Sequence, residues 1–476
     1  MPEKKVVTRF APSPTGFMHA GNLRTGLYAW LWARKNKGIF ILRIEDTDKK
    51  REVEGSIAHI KESLKWIGMD WDQGPDVGGP NAPYIQSERL DLYKRYANKL
   101  IEKGLAYADP YTEAEIEQWR KKSEEEKKPF LFREHRPENF PIWDGAQPLR
   151  FKVPEIKRYT WQDAVWGELS AGPEALDDFV LIKSDGYPTY NFAHIVDDVE
   201  MGVTHVMRGQ EFISSTPKYL SVYEALGETP PIFATTPSVM ATEGKKKLGK
   251  RDGAKDVLEY KTEGYLPQAM MNFLALLGWN PGGEREVFSP DELVEIFDIN
   301  RIQHSGGQFG DEKLDWLNKE HIKLLPPSEI EKNILAWLPK EMAANEIALK
   351  LVPLILERIN KWVDVRDMAE RGELDFFFKP PQFPKEKLLY KNTTPEQVSD
   401  NLKRAIEELN QIEEANFTEE NIKNVLMKIA ESLGSRGELL HGVRYALSGL
   451  DRSPDPFIIA KILGKNETLS RLQKAI

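Results

Sequence analysis

The sequence predicts an α/β half built on a doubly wound parallel sheet with an inserted subdomain, followed by an all-helical half. Three observations carry this. Short apolar runs alternate with helical periodicity up to about residue 240. The alternation is interrupted between about residues 84 and 187 by a charged segment, Glu113 to Lys128, and an aromatic, proline-punctuated stretch. After Gly253 the strand patterns largely cease and helix signals follow one another.

Val6 to Phe10 reads as a buried strand. The proline-rich run behind it is not helical, and apolar periodicity resumes at Leu23, Leu27, Trp30 and Leu31. His19 therefore sits where a strand and loop hand over to a helix N-terminus, a place where unpaired amides and the positive end of the helix dipole favour anionic oxygens. Ile39 to Ile44, Phe179 to Ile182 and Val203 to Met207 read as further strands. Val53 to Ile67 reads as an amphipathic helix, and Thr216 to Leu226 as a helix with Pro217 in its first turn. Ligands of such sheets bind beyond the strand C-termini, where His19 and Arg208 fall. Asp197 and Asp198 are read as strand neighbours pointing to opposite faces, against a shared metal.

In the second half Tyr265 to Trp279 is apolar on most of its face. Capping boxes are read at Ser289 with Glu292, Thr394 with Gln397, and Ser328 with Glu331. Leu402, Ala405, Ile406 and Leu409, then Ile422, Val425, Leu426 and Ile429, stand at helical spacing and are expected to form bundle core. The chain has 476 residues, 40% of them hydrophobic, enough for about three domains. It has no cysteine, no long apolar stretch and no basic leader, so disulfides, thiolate metal sites, membrane spans and secretion lose support and a cytoplasmic address is expected. The net charge of −9 argues against a general nucleic-acid coat, but local basic patches exist at Lys121-Lys122, Lys127-Lys128, Lys245 to Arg251 and Arg358 to Lys361.

His19-Ala20-Gly21-Asn22 and Lys247-Leu248-Gly249-Lys250-Arg251 are each ordinary alone: a turn glycine beside a satisfied histidine, and a solvated charge run. Together they describe a site that activates a carboxylate with ATP. His19 and Asn22 supply neutral donors, and Lys247 and Lys250 supply ammonium groups that follow charge onto a departing pyrophosphate.

With Arg9 to Gly16, Arg43 to Asp48, Ser184 to Tyr190, Val196 to Asp198 and His205 to Gly209, these segments make the chain resemble class I aminoacyl-tRNA synthetases, and within them the bacterial-type glutamyl enzymes. The likeness covers essentially the whole chain. His19 to Asn22 and Lys247 to Arg251 are similar to the signatures called HIGH and KMSKS, with Ala20 and Asn22 for Ile and His and Gly249 for the usual Ser. The resemblance implies a Rossmann-like catalytic domain at 1–83 and 188–240, an inserted tRNA acceptor-binding subdomain at 84–187, a loop and stem-contact domain at 241–322, and an all-α anticodon-binding domain at 323–476. It further implies a monomer that ligates L-glutamate to tRNA(Glu) through a glutamyl adenylate, with Mg²⁺ carried on the phosphates of ATP. Many relatives bind zinc through a Cys-x-Cys pair where this chain has Asp109-Pro110-Tyr111, so thiolate zinc is excluded.

A substrate with an α-ammonium and a second carboxylate needs an acidic partner and a planar cationic fork. Glu45 and Tyr190 suit the ammonium, and Arg208 and Arg9 suit a carboxylate. A surface salt bridge from Glu45 to Arg43 or Lys49 is the bland alternative. From the family, Arg9, Ala11, Ser13, Glu45, Tyr190, His194 and Arg208 are expected at glutamate, His19, Gly21, Glu211, Val239 and Lys250 at ATP, and Arg358 at the anticodon. Competing readings are an enzyme that also charges tRNA(Gln), an inactive tRNA-binding paralogue and a small-molecule nucleotidylyltransferase. Retention of His19, Glu45, Arg208, Lys247 and Lys250 argues against the inactive paralogue, and the long helical half is unexplained by a nucleotidylyltransferase.

Overall fold

The computed structural model describes residues 5–241, 247 and 255–476. Its strands are β1 (Val7–Phe10), β2 (Ile39–Leu42), β3 (Ala106–Ala108), β4 (Leu149–Phe151), β5 (Tyr159–Asp163), β6 (Gly167–Ala171), β7 (Val180–Ile182), β8 (His205–Gly209) and β9 (Ile232–Thr236). The main sheet has the order β2-β1-β8-β9-β5-β6. It is parallel from β2 to β5, with Val7 opposite Ile39 and His205 opposite Ile232, and only β6 runs antiparallel. The strands β1, β8 and β9 therefore end on one edge, and the loops beyond them share one space.

The helices of the same unit are α1 (Ala20–Lys35), α2 (Ser56–Ile67), α3 (Leu90–Glu102), α4 (Glu113–Glu125), α5 (Tyr190–Glu200), α6 (Thr216–Leu226), α7 (Val257–Thr262), α8 (Pro267–Leu276) and α9 (Pro290–Ile296). Leu23, Leu27, Tyr28 and Leu31 of α1 are fully buried, packed on the sheet and on α8 and α9. That occupied, two-sided burial holds the helix start still. Leu27→Ala should cost about 3 kcal/mol for this reason.

Two compact units are formed, Met1–Leu317 and Asn318–Ile476. The second contains the rest of α10 (Asp311–Lys323), then α11 (Pro327–Trp337), α12 (Lys340–Ala343), α13 (Ile347–Arg358), α14 (Val363–Glu370), α15 (Asp375–Phe378), α16 (Pro395–Asn410), α17 (Glu419–Ser432), α18 (Arg436–Ser448), α19 (Pro456–Leu463) and α20 (Lys465–Ala475). Leu402, Ala405 and Leu409 of α16 and Ile422, Leu426 and Ile429 of α17 are buried, while Ile406 and Val425 are only half-buried at the edge of the apolar stripe. The capping boxes at Ser289 and Thr394 form.

Two expectations need correction. Asp197 and Asp198 lie on helix α5, not on a strand. The short apolar run Ile195-Val196 before them is too brief to separate the two periods. Ser328 does not cap a helix, because α11 already begins at Pro327 after Pro326, which places the serine inside the first turn. The stretch 84–187 does not stay apart from the main sheet. Its β3, β4 and β7 form a separate antiparallel sheet, but the hairpin of β5 and β6 extends the main one, with Asp163 opposite Phe233. Residues of α7, α8 and α9 share one apolar core with α1.

Candidate active site

The loop after β1 is held by its backbone. Pro12 O accepts from Glu45 N at 3.0 Å, and Pro14 O accepts from Val53 N and Ser56 Oγ at 2.9 Å each. The chain then enters α1 with His19 extended at φ −119°, ψ 164°, its carbonyl accepting from Asn22 N and Leu23 N at 3.1 Å each. The imidazole lies against Gly21, where a Cβ would come within 3.3 Å of the ring, so the close approach favours glycine. No acidic residue stands in the first turn to compete with a bound anion.

Beyond the strand ends opens a cavity of about 320 Å³. Arg9, Ala11, Ser13, His19, Gly21, Asn22, Glu45, Tyr190, His194, Arg208, Glu211, Val239 and Lys247 all line it, so the geometry brings together nearly every site residue expected from the sequence. Lys250 lies outside the described residues. Arg358 lies in the other unit, where its Nη2 is 2.5 Å from Glu373 Oε2.

The floor is a buried charge network. Asp198 accepts from Arg9 Nε at 3.2 Å and Nη2 at 3.3 Å, and from Arg43 Nη1 at 2.7 Å. Arg43, fully buried, also donates to Glu45 Oε1 at 2.9 Å. Asp197 accepts from Arg89 Nε, Gln86 Nε2 and Tyr93 OH, each at 2.8 Å. The Glu45–Arg43 contact is real but buried, not the surface pair considered above. Burial holds the Glu45 carboxyl above its ordinary pKa despite Arg43 and Arg9. For Asp198 burial pushes up too, but Arg9 and Arg43 overcome it and bring the pKa down to about 2.

Arg208 is different. Its Nη2 donates to Thr216 Oγ1 at 2.6 Å and its Nε to Thr235 Oγ1 at 3.4 Å, while the guanidinium lies 3.9 Å over the Phe233 ring. The carboxylate of Asp163 makes no direct hydrogen bond to it: Thr235 stands between, its hydroxyl donating to Asp163 at 2.5 Å, and the charge of Asp163 only partly offsets burial. Burial lowers its pKa to about 10. His194 donates from Nδ1 to Tyr190 O at 2.6 Å, so its Nε2 is an acceptor. Burial holds it neutral with a pKa of about 4. At the other end Lys247 Nζ lies 3.0 Å from Glu211 Oε1. One end of the cavity thus suits an anionic side chain, and the other, at the start of α1, suits phosphates.

The family model for tRNA synthetases class I (E and Q), catalytic domain, matches residues 5–316, and one for an anticodon binding domain matches 324–476. This chain belongs to the class I tRNA synthetases of the E and Q group. Similar proteins include the glutamate–tRNA ligases of Clostridium botulinum (strain Hall), 42% identical over 99% of this chain and 98% of that protein, and of Clostridium kluyveri, 41% identical over 99% and 98%. A solved glutamate tRNA ligase from Elizabethkingia meningosepticum, in complex with its amino acid, superposes with a TM-score of 0.88 at 36% identity, covering 99% of each chain. Glutamate-tRNA synthetase from Elizabethkingia anophelis gives 0.84 at 35% identity, covering 99% of this chain and all of the other.

In this synthetase the sequence reading missed Arg24, which lines the cavity, is buried and donates from Nη1 to Leu277 O at 2.8 Å and from Nη2 to Pro237 O. It also missed the roles of Arg43, Asp198, Thr216 and Phe233. A charged residue within the apolar stripe of α1 was the available signal for Arg24. The others are joined across more than 150 residues, or by contacts that leave no local pattern.

Proposed function

We propose that this synthetase charges tRNA with glutamate in an ATP-dependent reaction. The observation that carries the reading is Arg208, a buried guanidinium whose direct partners are hydroxyls and an aromatic face, at one end of a cavity whose other end is the start of α1. A side-chain carboxylate supplies the missing counter-ion, with Glu45 and Tyr190 at the α-ammonium and the neutral His194 adding an acceptor. Ala11 and Ser13 line the same cavity.

The α-carboxylate then faces the triphosphate bound beside His19, Gly21, Glu211 and Val239. One of its oxygens attacks the α-phosphorus, the bond to the bridging oxygen breaks and pyrophosphate leaves, giving glutamyl adenylate. His19, Asn22, Lys247 and Lys250 stabilise the charge that grows on the phosphoryl and leaving oxygens. A ribose hydroxyl at the 3' end of tRNA(Glu) next attacks the acyl carbon and displaces AMP. Mg²⁺ enters with the phosphates as part of the substrate. Among the described residues no three His, Asp or Glu side chains converge to hold it. The unit Asn318–Ile476, with Arg358, is assigned to reading the anticodon.

Glutamate-dependent exchange of labelled pyrophosphate into ATP, with and without tRNA, tests the first step. Exchange that neither glutamate nor tRNA elicits would sink the proposal. Charging of tRNA(Glu) and tRNA(Gln) in parallel defines the acceptor.

A further inference from the structure

His59 on α2 lies outside the cavity and the reaction makes no use of it, yet it joins three segments that meet at His19. Its Nε2 is 2.7 and 2.8 Å from the two carboxylate oxygens of Asp256. Its Nδ1 is 3.3 Å from Met18 N and 3.4 Å from Ser63 Oγ. A carboxylate only accepts and a backbone N–H only donates. One neutral tautomer satisfies both: Nε2–H donates to Asp256 and Nδ1 accepts from Met18. The ring stacks on Phe17 at 4.7 Å and 22°.

The same segments are sewn together by main chain. Val257 N donates to Met18 O at 3.0 Å, and His19 and Asp256 form an antiparallel bridge. Asp256 is also the N-cap of α7, accepting from Leu258 N at 2.9 Å, so its position is set by a helix rather than by a free loop. Lys261 on α7 and Glu62 on α2 add an ion pair at 2.9 Å between the same two helices. His59 and Asp256 are only 11% and 21% exposed. A histidine and an aspartate from helices nearly 200 residues apart thus close on the residue that precedes His19.

We propose that His59 is a positioning residue for the activation step, fixing Phe17 to His19, and with them the His19 imidazole at the start of α1, by holding Asp256 against that segment. This rests on the role proposed for His19. His19 follows Met18 directly and is extended at the junction, so where Met18 is held sets where the His19 Cα and Cβ stand. The glutamate end, at Arg208 and Tyr190, takes no part in the clasp.

The test is pyrophosphate exchange by the full chain carrying His59→Ala, His19→Ala or both, with kcat and the KM for glutamate measured for each and thermal unfolding recorded. For His59→Ala kcat should fall about tenfold, from misplacement of a donor, with the KM for glutamate within roughly twofold of the parent. The double variant should be no slower than His19→Ala alone, because a residue that acts through His19 has nothing left to position. Asp256→Asn, which keeps an oxygen for the Leu258 N–H and so the cap of α7, should lower kcat in the same direction. Losses that multiply in the double variant overturn the clasp, as does His59→Ala exchanging at the parent rate beside a slowed His19→Ala. His19→Ala at the parent rate overturns the site reading, and the clasp with it.

Discussion

Arg9 and Arg208 occupy the ends of neighbouring parallel strands, line one cavity and are about equally buried, at 8% and 6% exposed, but their electrostatic situations are opposite. Burial pulls the pKa of both down. At Arg9 the forked contact with Asp198 more than reverses it, and the guanidinium is held above its ordinary value. At Arg208 the attraction of Asp163 is weaker than the effect of burial, and the value falls to about 10. Burial therefore does not decide which cation is available to a ligand; the presence of a counter-ion does. Arg9 belongs to a network already neutral within itself, in which Arg9, Arg43 and Arg89 face Glu45, Asp197 and Asp198. Arg208 holds a charge that hydroxyls and a ring only partly compensate, and a substrate carboxylate completes it.

The contrast predicts its largest effect for Arg208→Gln. The kcat/KM for glutamate in pyrophosphate exchange should drop on the order of 10³-fold, about 4 kcal/mol, because the amide offers no charge to the side-chain carboxylate. The preference for glutamate over glutamine should collapse mainly through lost glutamate turnover. Thermal stability should not fall, since an under-compensated buried cation has been removed. Kinetics with both amino acids decide it, and an unaltered preference would mean that Arg208 does not read the side chain.

Asp198→Asn attacks the neutral end instead and should act on stability first. Two guanidinium groups, of Arg9 and Arg43, lose their shared partner inside the protein, which costs about 3 kcal/mol. Denaturant midpoints of parent and variant measure this. A variant as stable as the parent would show that the network is not needed to hold Arg9, and the distinction between the two arginines would fail.

How much of this could be read from the chain depends on how far apart the partners lie in sequence. β1, β2 and β8, the start of α1 and the strand-end arginines were legible because each is a local pattern: an apolar run, a proline break, a change of period. Asp197 and Asp198 were seen as a pair but put on a strand, because four or five residues do not distinguish a buried strand from a buried helix. The pairing of Arg43 with Asp198, 155 residues apart, has no local signature, nor has the addition of the β5 and β6 hairpin to the far edge of the sheet. The difference between Arg9 and Arg208 was for the same reason invisible. Both read as basic residues closing a strand, and only the fold places Asp198 beside one of them.

His194 lines the same cavity and gives the smallest and most selective test. Its ring stacks on Tyr190 at 4.6 Å and meets Tyr219 edge-on at 4.5 Å, and burial lowers its pKa to about 4 although Asp198 pulls the other way. In the unfolded chain the imidazole takes up its proton near 6.5, so between about pH 6.5 and 4 the unfolded state holds the extra proton and the folded state does not. Stability from this group is therefore full above about pH 6.5 and declines as the pH falls toward 4, by about 2 kcal/mol at pH 5. Asparagine has no such proton, and His194→Asn should lose that part of the decline. His205 and His321, also lowered by burial, add to the decline equally in parent and variant and cancel in the comparison. Unfolding midpoints at pH 7 and pH 5 should thus move apart less in the variant than in the parent. An equal drop in both would mean that folding does not hold the His194 pKa below that of the unfolded chain, so the ring would take up its proton near 6.5 and lose its acceptor nitrogen below that pH.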